Sequence, residues 1–264
     1  MDAQELFEDK KNGKLSFSLE GVSNAFANAL RRASISEVPV MAIEDVEIRK
    51  NDSVLYDEII AHRLGLLPLR TDLESYNLPE KCKCKGEGCA SCQLKLTLSK
   101  TSGKSEEIVE ASELKSKDPK VKPVFGDTPI VKLLKGQKLE LEATAVLGKG
   151  KVHAKWSPGL VIYKVWPELK ASDESNIDAC LEKIPKEIIQ KKGNSLEIKD
   201  ITKWNESYEQ VCEENKVEVI KKGDRFVFNV ESWGQLEPGK IIDEAAAQLQ
   251  EKLKEFETKI KEAE

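Results

Sequence analysis

Apolar and polar residues alternate with a period of two in several short runs of the chain. In residues 14–20, Leu15, Phe17 and Leu19 alternate with polar neighbours, which predicts a half-buried strand. The same alternation predicts a hairpin in residues 217–232, VEVIKKGDRFVFNVES, with its turn at KKGD. Further strands are predicted at residues 93–99, 129–134, 138–148 and 160–166.

From Ser23 onwards the apolar residues follow helical spacing instead. The hydroxyl of Ser23 suits the N-cap of a helix of about three turns. Pro39 ends this helix, and residues 42–49 are predicted to be extended. Helical spacing places one apolar group in a narrow sector and one polar group opposite it. The apolar group is Phe26, Ala29, Leu30 and Ala33, and the polar group is Asn24, Asn28, Arg31 and Arg32. The helix is therefore either an ordinary amphipathic one packed on its own sheet or one whose arginines and amides recognise a partner.

The last element is predicted to be the longest helix, with Pro238 in its first turn. Its apolar residues recur at steps of 4, 3, 4, 3 and 4, as in a coiled-coil seam. This terminal seam consists of Ile242, Ala246, Leu249, Leu253, Phe256 and Ile260. The seam suits a helical partner, although it could also lie on the protein's own sheet.

The remaining segments are less regular. A helix is predicted at residues 55–67, where Pro68 ends it, while residues 102–127 are polar and suit a loop or an edge. Residues 168–222 are dense in Lys and Glu and sparse in apolar residues. They are predicted to form a small separate module or an insertion, with a helix at 177–190 and a strand at 195–198.

Composition narrows the class of protein. The 264 residues suffice for two domains, and 39% hydrophobic with 34% charged residues is typical of a folded, soluble protein. A net charge of −5 and a pI near 5.5 argue against a general nucleic-acid-binding surface. The N-terminus does not resemble a signal peptide, so we expect a protein of the cytoplasm that is not associated with a membrane.

Four of the six cysteines lie within eleven residues, at Cys82, Cys84, Cys89 and Cys92. Four thiolates in so short a loop can surround one Zn²⁺, and Gly86 and Gly88 allow the sharp turns that this requires. The spacing therefore predicts one structural zinc ion in a zinc loop, residues 82–92. The competing interpretation is a redox pair, Cys89 and Cys92, which leaves the other two thiols unexplained.

Catalytic motifs are missing from the sequence. It contains no phosphate-binding loop, no dinucleotide fingerprint and no Asp-rich metal motif. Two alternatives to a binding protein remain open at this stage. One is a free-standing thiol and zinc oxidoreductase that uses Cys89 and Cys92. The other is a nucleic-acid-binding regulator that uses Lys149, Lys151, Lys155 and the Arg31–Arg32 pair.

Four segments taken together resemble a known family, the D-subunit family of archaeal RNA polymerases. They are FANALRRA at residues 26–33, EVP at 37–39, NDSVLYDEIIAHRLGLLPL at 51–69 and GKGKVHAKWSPG at 148–159. The third-largest subunit of eukaryotic polymerase II and the bacterial alpha subunit are its counterparts. The resemblance implies a non-catalytic subunit on which the large catalytic subunits of a DNA-directed RNA polymerase assemble.

The resemblance also implies an α+β fold with three parts. A dimerisation domain is formed by both chain ends, residues 1–41, 159–167 and 223–264. A β-rich insert domain, residues 42–158, carries the zinc loop. Residues 168–222 correspond to a ferredoxin-like domain that holds iron–sulfur clusters in many relatives. Here that region keeps only Cys180 and Cys212, which cannot supply the ligands of a cubane cluster, so we expect a cluster-free remnant.

The partners are implied by the family alone. The dimerisation domain would pair with subunit L, and the second-largest polymerase subunit and the small subunits N and P would dock on the pair. DNA and RNA would be contacted only through the complex. The partner surfaces would be the first helix, with Phe26, Asn28, Leu30, Arg31 and Arg32, and the terminal seam. Arg31 and Arg32 would lie near the second-largest subunit, and the seam would face subunit L.

Overall fold

The computed structural model describes residues 1–171, 173–193 and 195–263 and has the predicted α+β fold. The chain forms two compact units, Met1–Arg31 with Val161–Val230 and Arg32–Leu160 with Glu231–Glu264. We call these the first and second units. The three-part assignment of dimerisation, insert and ferredoxin-like domains stays a prediction.

The described residues form five α-helices and twelve strands. The helices are α1 (Asn24–Ser36), α2 (Asp57–Gly65), α3 (Glu174–Lys183), α4 (Glu206–Glu214) and α5 (Pro238–Ala263). The strands are β1 (Asp2–Asp9), β2 (Lys14–Glu20), β3 (Pro39–Asn51), β4 (Gln93–Thr101), β5 (Glu107–Glu110), β6 (Lys115–Ser116), β7 (Pro129–Leu133), β8 (Lys138–Lys149), β9 (Gly159–Ala171), β10 (Ile189–Lys192), β11 (Ser195–Ile198) and β12 (Val217–Ser232). In the described part of the chain, no helix combines the length and hydropathy needed to cross a bilayer.

The first unit is built on a sheet with the strand order β1-β2-β12-β9. The aromatic rings of Phe17 and Phe228 stack between β2 and β12, with centroids 5.0 Å apart. An apolar cluster joins α3 and α4 to the sheet, because Ile177 and Cys212 share it with Val227 of β12. The region predicted as a small module therefore packs into the same core as the sheet strands.

The second unit contains the larger core. Its main sheet has the order β3-β8-β4-β6, and β5 pairs with β7 in a small second sheet. Alternate residues of the strands point to one buried face, where Ile43, Leu96 and Leu141 meet Ile60 and Leu64 of α2. This core supports the loop that carries the four clustered cysteines, since β4 begins one residue after the last of them.

The predicted hairpin at residues 217–232 is wrong, because the segment forms one continuous strand, β12. Gly223 has a φ of +74°, which is the left-handed conformation that a hairpin turn would also use. Next to it, the carbonyl of Asp224 accepts a hydrogen bond from the N–H of Gly21 at 2.8 Å. The glycine therefore marks an irregularity inside a strand rather than a reversal of the chain.

Two further boundaries differ from prediction, and both involve proline. Strand β9 does not end at Pro167 but continues to Ala171, because β9 lies at the edge of its sheet, where a missing N–H is tolerated. The helix predicted at 177–190 ends at Lys183, since Pro185 cannot continue it, and β10 follows. Strand β1 and helix α4 were not predicted.

The orientation of α1 also differs from the one that helical spacing predicted. Ser23 caps the helix as predicted, its hydroxyl accepting from the N–H of Phe26 at 3.2 Å. Ala27 and Leu30 are buried, whereas Phe26 is 40% exposed and Ala29 is exposed. The apolar sector is thus split, with one part in the core and one part on the surface.

Gly150 allows the loop after β8 to lie against the end of α1. A Cβ atom at this position would stand 2.1 Å from the carbonyl oxygen of Ile35. We expect Gly150→Ala to destabilise the protein by about 2 kcal/mol, the usual cost of overpacking, because backbone must move to make room. The measurement is the shift of the urea unfolding midpoint. Gly239→Ala is the control, since nothing lies within 4 Å of its Cβ position, and an equal loss in both variants would contradict the explanation.

Candidate metal centre and partner-facing surfaces

The four clustered cysteines lie on a loop whose two ends are held close together. A 3₁₀ turn at Pro79–Lys81 leads into Cys82, and the N–H of Asn77 donates to the carbonyl of Ser91 at 2.8 Å across the base of the loop. The chain reverses through residues with positive φ, at Lys85 (54°), Gly86 (88°) and Gly88 (94°). These glycines supply the left-handed turns that fold the loop back on itself.

The loop brings the four sulfur atoms together. All four lie within 4.8 Å of one another. The Sγ–Sγ distances are 3.5 Å for Cys82–Cys89, Cys82–Cys84 and Cys84–Cys92, and 3.9 Å for Cys89–Cys92. Sulfurs placed tetrahedrally at about 2.3 Å from a Zn²⁺ ion would be about 3.8 Å apart. The donor set therefore fits a tetrahedral, sulfur-preferring metal ion, and the predicted clustering of all four thiols is confirmed.

The thiols differ in how readily they lose a proton. Hydrogen bonding with the Cys82 thiol and the N–H of Gly88 lowers the pKa of Cys84 to about 6. Burial raises the pKa of Cys92 to about 12. The thiol of Cys84 therefore loses its proton more readily than the buried thiol of Cys92.

Cys180 and Cys212 occupy a different environment, in the core of the first unit. Both are fully buried, and burial raises the pKa of each thiol, that of Cys212 to about 12. Such thiols behave as small apolar side chains and are unreactive.

Helix α5 is amphipathic, with two apolar stripes side by side. Ile241 and Ala245 are buried in the second unit. The distal residues of the terminal seam are instead exposed, Leu253 at 68%, Phe256 at 64% and Ile260 at 45%. Among the proximal residues, Ile242 and Leu249 are half-buried and Ala246 is exposed. The burial pattern thus rules out the alternative that the distal seam lies on the protein's own sheet.

The residues of α1 that were predicted to contact a partner differ in their exposure. Phe26 and Arg32 are exposed, and Leu30 is buried in the chain's own core, which speaks against a direct contact with a partner. Arg31 is half-buried, and its guanidinium donates to Asn28 Oδ1 at 2.9 and 3.2 Å. The amide of Asn28 therefore orients this arginine along the helix.

The lysines considered for nucleic-acid binding are largely engaged within the protein. Lys155 forms an ion pair with Glu44, and its side chain is only 13% exposed. Lys149 is 18% exposed and lies 3.5 Å from Glu37, a buried carboxylate. These ion pairs hold Lys149 and Lys155 within the fold, whereas Lys151 is exposed.

One group of polar residues was missed by the sequence reasoning. Buried Glu37 lies within the EVP segment and binds Lys252 of α5 as well as Lys149. These contacts lower the pKa of Glu37, against the opposing effect of burial. A glutamate just before the apolar start of a predicted strand was the available signal, but its partners are more than a hundred residues away.

Comparison with known proteins gives a consistent result over nearly the whole chain. Residues 16–253 match the model of the RNA polymerase Rpb3/Rpb11 dimerisation domain. The DNA-directed RNA polymerase subunit Rpo3 of Methanosarcina acetivorans is 40% identical over 91% of this chain and 91% of its own length. The Rpo3 subunit of Pyrococcus horikoshii is 40% identical over 94% and 93%, and that of Methanosphaera stadtmanae is 36% identical over 92% and 93%.

Proposed function

The chain belongs to the RNA polymerase Rpb3/Rpb11 dimerisation-domain family, and on this basis we propose that it is the assembly subunit of an archaeal DNA-directed RNA polymerase. It has no active site of its own and contributes to a nucleotidyltransferase complex. The observation that carries the proposal is the match to Rpo3 subunits over more than nine-tenths of the chain. The complex would act in the cytoplasm.

The first proposed partner is the small dimerising subunit, subunit L. The exposed distal seam supports this, because Leu253, Phe256 and Ile260 present large apolar side chains along one face of a helix. An exposed apolar face of this kind is typical of a protein interface. In α1, the exposed ring of Phe26 and the adjacent exposed surface of Ala29 offer a second apolar contact.

The second proposed partner is the second-largest polymerase subunit, at Arg31 and Arg32. We expect Arg31→Glu together with Arg32→Glu to weaken its recruitment at least tenfold, because two like-charge contacts replace two attractive ones. Copurification of this large chain with the tagged heterodimer measures the effect. Subunit L should still bind, and Lys254→Glu serves as a control for a charge reversal elsewhere. Undiminished recruitment of the large chain would contradict the assignment.

We further propose that the four clustered cysteines hold one structural zinc ion and that no iron–sulfur cluster is bound. Four cysteine sulfurs at tetrahedral spacing leave no open coordination position, so the ion would have a structural role. Residues 168–222 would then be a ferredoxin-like remnant, whose two cysteines contribute to its apolar core. Subunits N and P would complete the platform, and nucleic acid would associate only through the assembled complex.

The direct test is affinity purification of the tagged chain from a native extract. We expect a small subunit and two very large chains to copurify in stoichiometric amounts. Recovery of the chain alone, with thiols at Cys89 and Cys92 that react rapidly with iodoacetamide, would favour the oxidoreductase instead. The two functions predict different partners, so a single gel with thiol labelling separates them.

A further inference from the structure

The middle of helix α5 is held by polar contacts on one side of a single turn. Gln248 accepts a hydrogen bond from Lys149 Nζ at 2.9 Å, and Lys252 forms an ion pair with buried Glu37. Lys149 ends strand β8, and Glu37 lies two residues before the start of strand β3. Both contacts are therefore anchored on the main sheet of the second unit.

A third contact on the same turn has a different anchor. Glu251 Oε1 lies 2.6 Å from Lys81 Nζ, and Lys81 immediately precedes Cys82, the first of the four clustered cysteines. The short 3₁₀ turn that ends at Lys81 leads directly into the loop. The position of Lys81 thus depends on the order of the loop, whereas Lys149 and Glu37 are held by the sheet.

The exposed distal residues of the terminal seam follow directly after this turn. Leu253 is two residues beyond Glu251, and Phe256 and Ile260 follow on the same face. An ion pair at Glu251 therefore acts at the point where α5 changes from a packed helix into an exposed one. Restraining this point reduces the conformational freedom that a partner would otherwise have to remove on binding.

We propose that metal binding at the four clustered cysteines strengthens partner binding at the exposed seam, through the contact of Lys81 with Glu251. A bound ion orders the loop, which fixes Lys81, and Lys81 restrains the Glu251 turn of α5. The inference rests on the proposed function, in that it takes the loop as a metal site and the seam as the subunit L interface. It adds a thermodynamic coupling between the two sites.

The size of the coupling is limited by the exposure of the ion pair. Lys81 is 47% and Glu251 is 44% exposed, and pairs of this kind contribute at most about a fivefold effect. We therefore expect metal to increase partner affinity about threefold to fivefold. Because coupling between binding sites is reciprocal, the partner must increase metal affinity by the same factor.

The experiment compares the dissociation constant of purified subunit L for the zinc-loaded and the chelator-treated full chain, both kept reduced. The chain without substitutions should bind subunit L about threefold to fivefold more weakly when zinc is removed. In the Glu251→Gln variant, the dissociation constants with and without zinc should be equal within error. Glu255→Gln, one turn further along α5, should retain the coupling and serves as the matched control.

A second arm keeps zinc bound throughout. Lys81→Met in the loaded chain should weaken subunit L binding by the same factor as metal removal, while Lys83→Met in the same loop should not. The exchange Lys81→Glu with Glu251→Lys should restore the coupling. This arm remains decisive if the metal-free chain loses structure.

The outcomes separate the coupling from the proposed function. Equal affinity with and without zinc, or unchanged coupling in Glu251→Gln, would overturn the role of the ion pair while pairing with subunit L persists. A failure of subunit L to bind any form of the chain would instead overturn the proposed function. Unchanged affinity of loaded Lys81→Met would also overturn the inference.

Discussion

Replacing Leu253 and Phe256 together by Asp is expected to abolish the heterodimer with subunit L. Both side chains are more than 60% exposed in the chain, at 68% and 64%, so their replacement removes few contacts within the protein. In a complex, each is expected to contribute about 2 kcal/mol as a buried apolar anchor. The introduced carboxylates would also have to lose water without gaining a partner. Together the changes should weaken pairing by about a thousandfold or more.

The measurement is coexpression of the two subunits followed by size-exclusion chromatography, with isothermal titration for residual binding. The circular dichroism spectrum of the variant should be unchanged, which shows that the chain still folds. Thr258→Asp is the matched control, because it adds one negative charge to α5 away from the seam. Normal pairing of the double variant would assign the interface to another surface of the chain.

The features that the sequence predicted well are local in the chain. The four cysteines lie within eleven residues, so spacing alone was sufficient to predict that their sulfurs meet. The N-cap at Ser23 and the start of α5 at Pro238 are likewise decided by neighbouring residues. Alternation also identified β4 and β8, in which buried residues alternate with more exposed ones. It identified β2 as well, although Ser16 and Ser18 of that strand are buried along with Leu19.

The errors arise where two structures share one local signal. Gly223 with its charged neighbours suits a hairpin turn and equally suits an irregular position inside a long strand. Only pairing with β2 on one side and β9 on the other decides between them. Strand β1 was missed because half of its residues are acidic and most are exposed, and its order depends on pairing with β2.

Helix orientation could not be obtained from periodicity when a helix has more than one apolar face. In α5, Ile241 and Ala245 are buried, and each lies one position before a residue assigned to the seam. The heptad pattern identified the exposed stripe and missed the packed one. The contact of Lys81 with Glu251, 170 residues apart, was beyond any local rule, because many lysines and glutamates could form such a pair.

Replacing Cys84 by Ser is expected to remove the metal and unfold the loop while the rest of the chain stays folded. The purified original chain should contain about one zinc and no iron, since the four sulfurs fit a tetrahedral ion and the remaining two cysteines lie in an apolar core. A structural zinc ion contributes about 10 kcal/mol or more to the folded form of its loop, and loss of one thiolate ligand removes most of this.

Unfolding should be confined to residues 77–92, because this segment contributes Leu78 to the main core of the second unit, whereas most of that core is formed elsewhere, including by Leu96, Leu98 and Leu141. Hydrogen exchange should therefore accelerate in this loop and remain slow in β4 and β8. Cys180→Ala is the control, since it removes a buried thiol but should leave zinc in place. Stoichiometric iron in the original chain, or full zinc in Cys84→Ser, would contradict the site. Fast hydrogen exchange throughout β4 would mean instead that the metal supports the whole sheet. In that case, apolar packing alone would not keep β4 paired with β8.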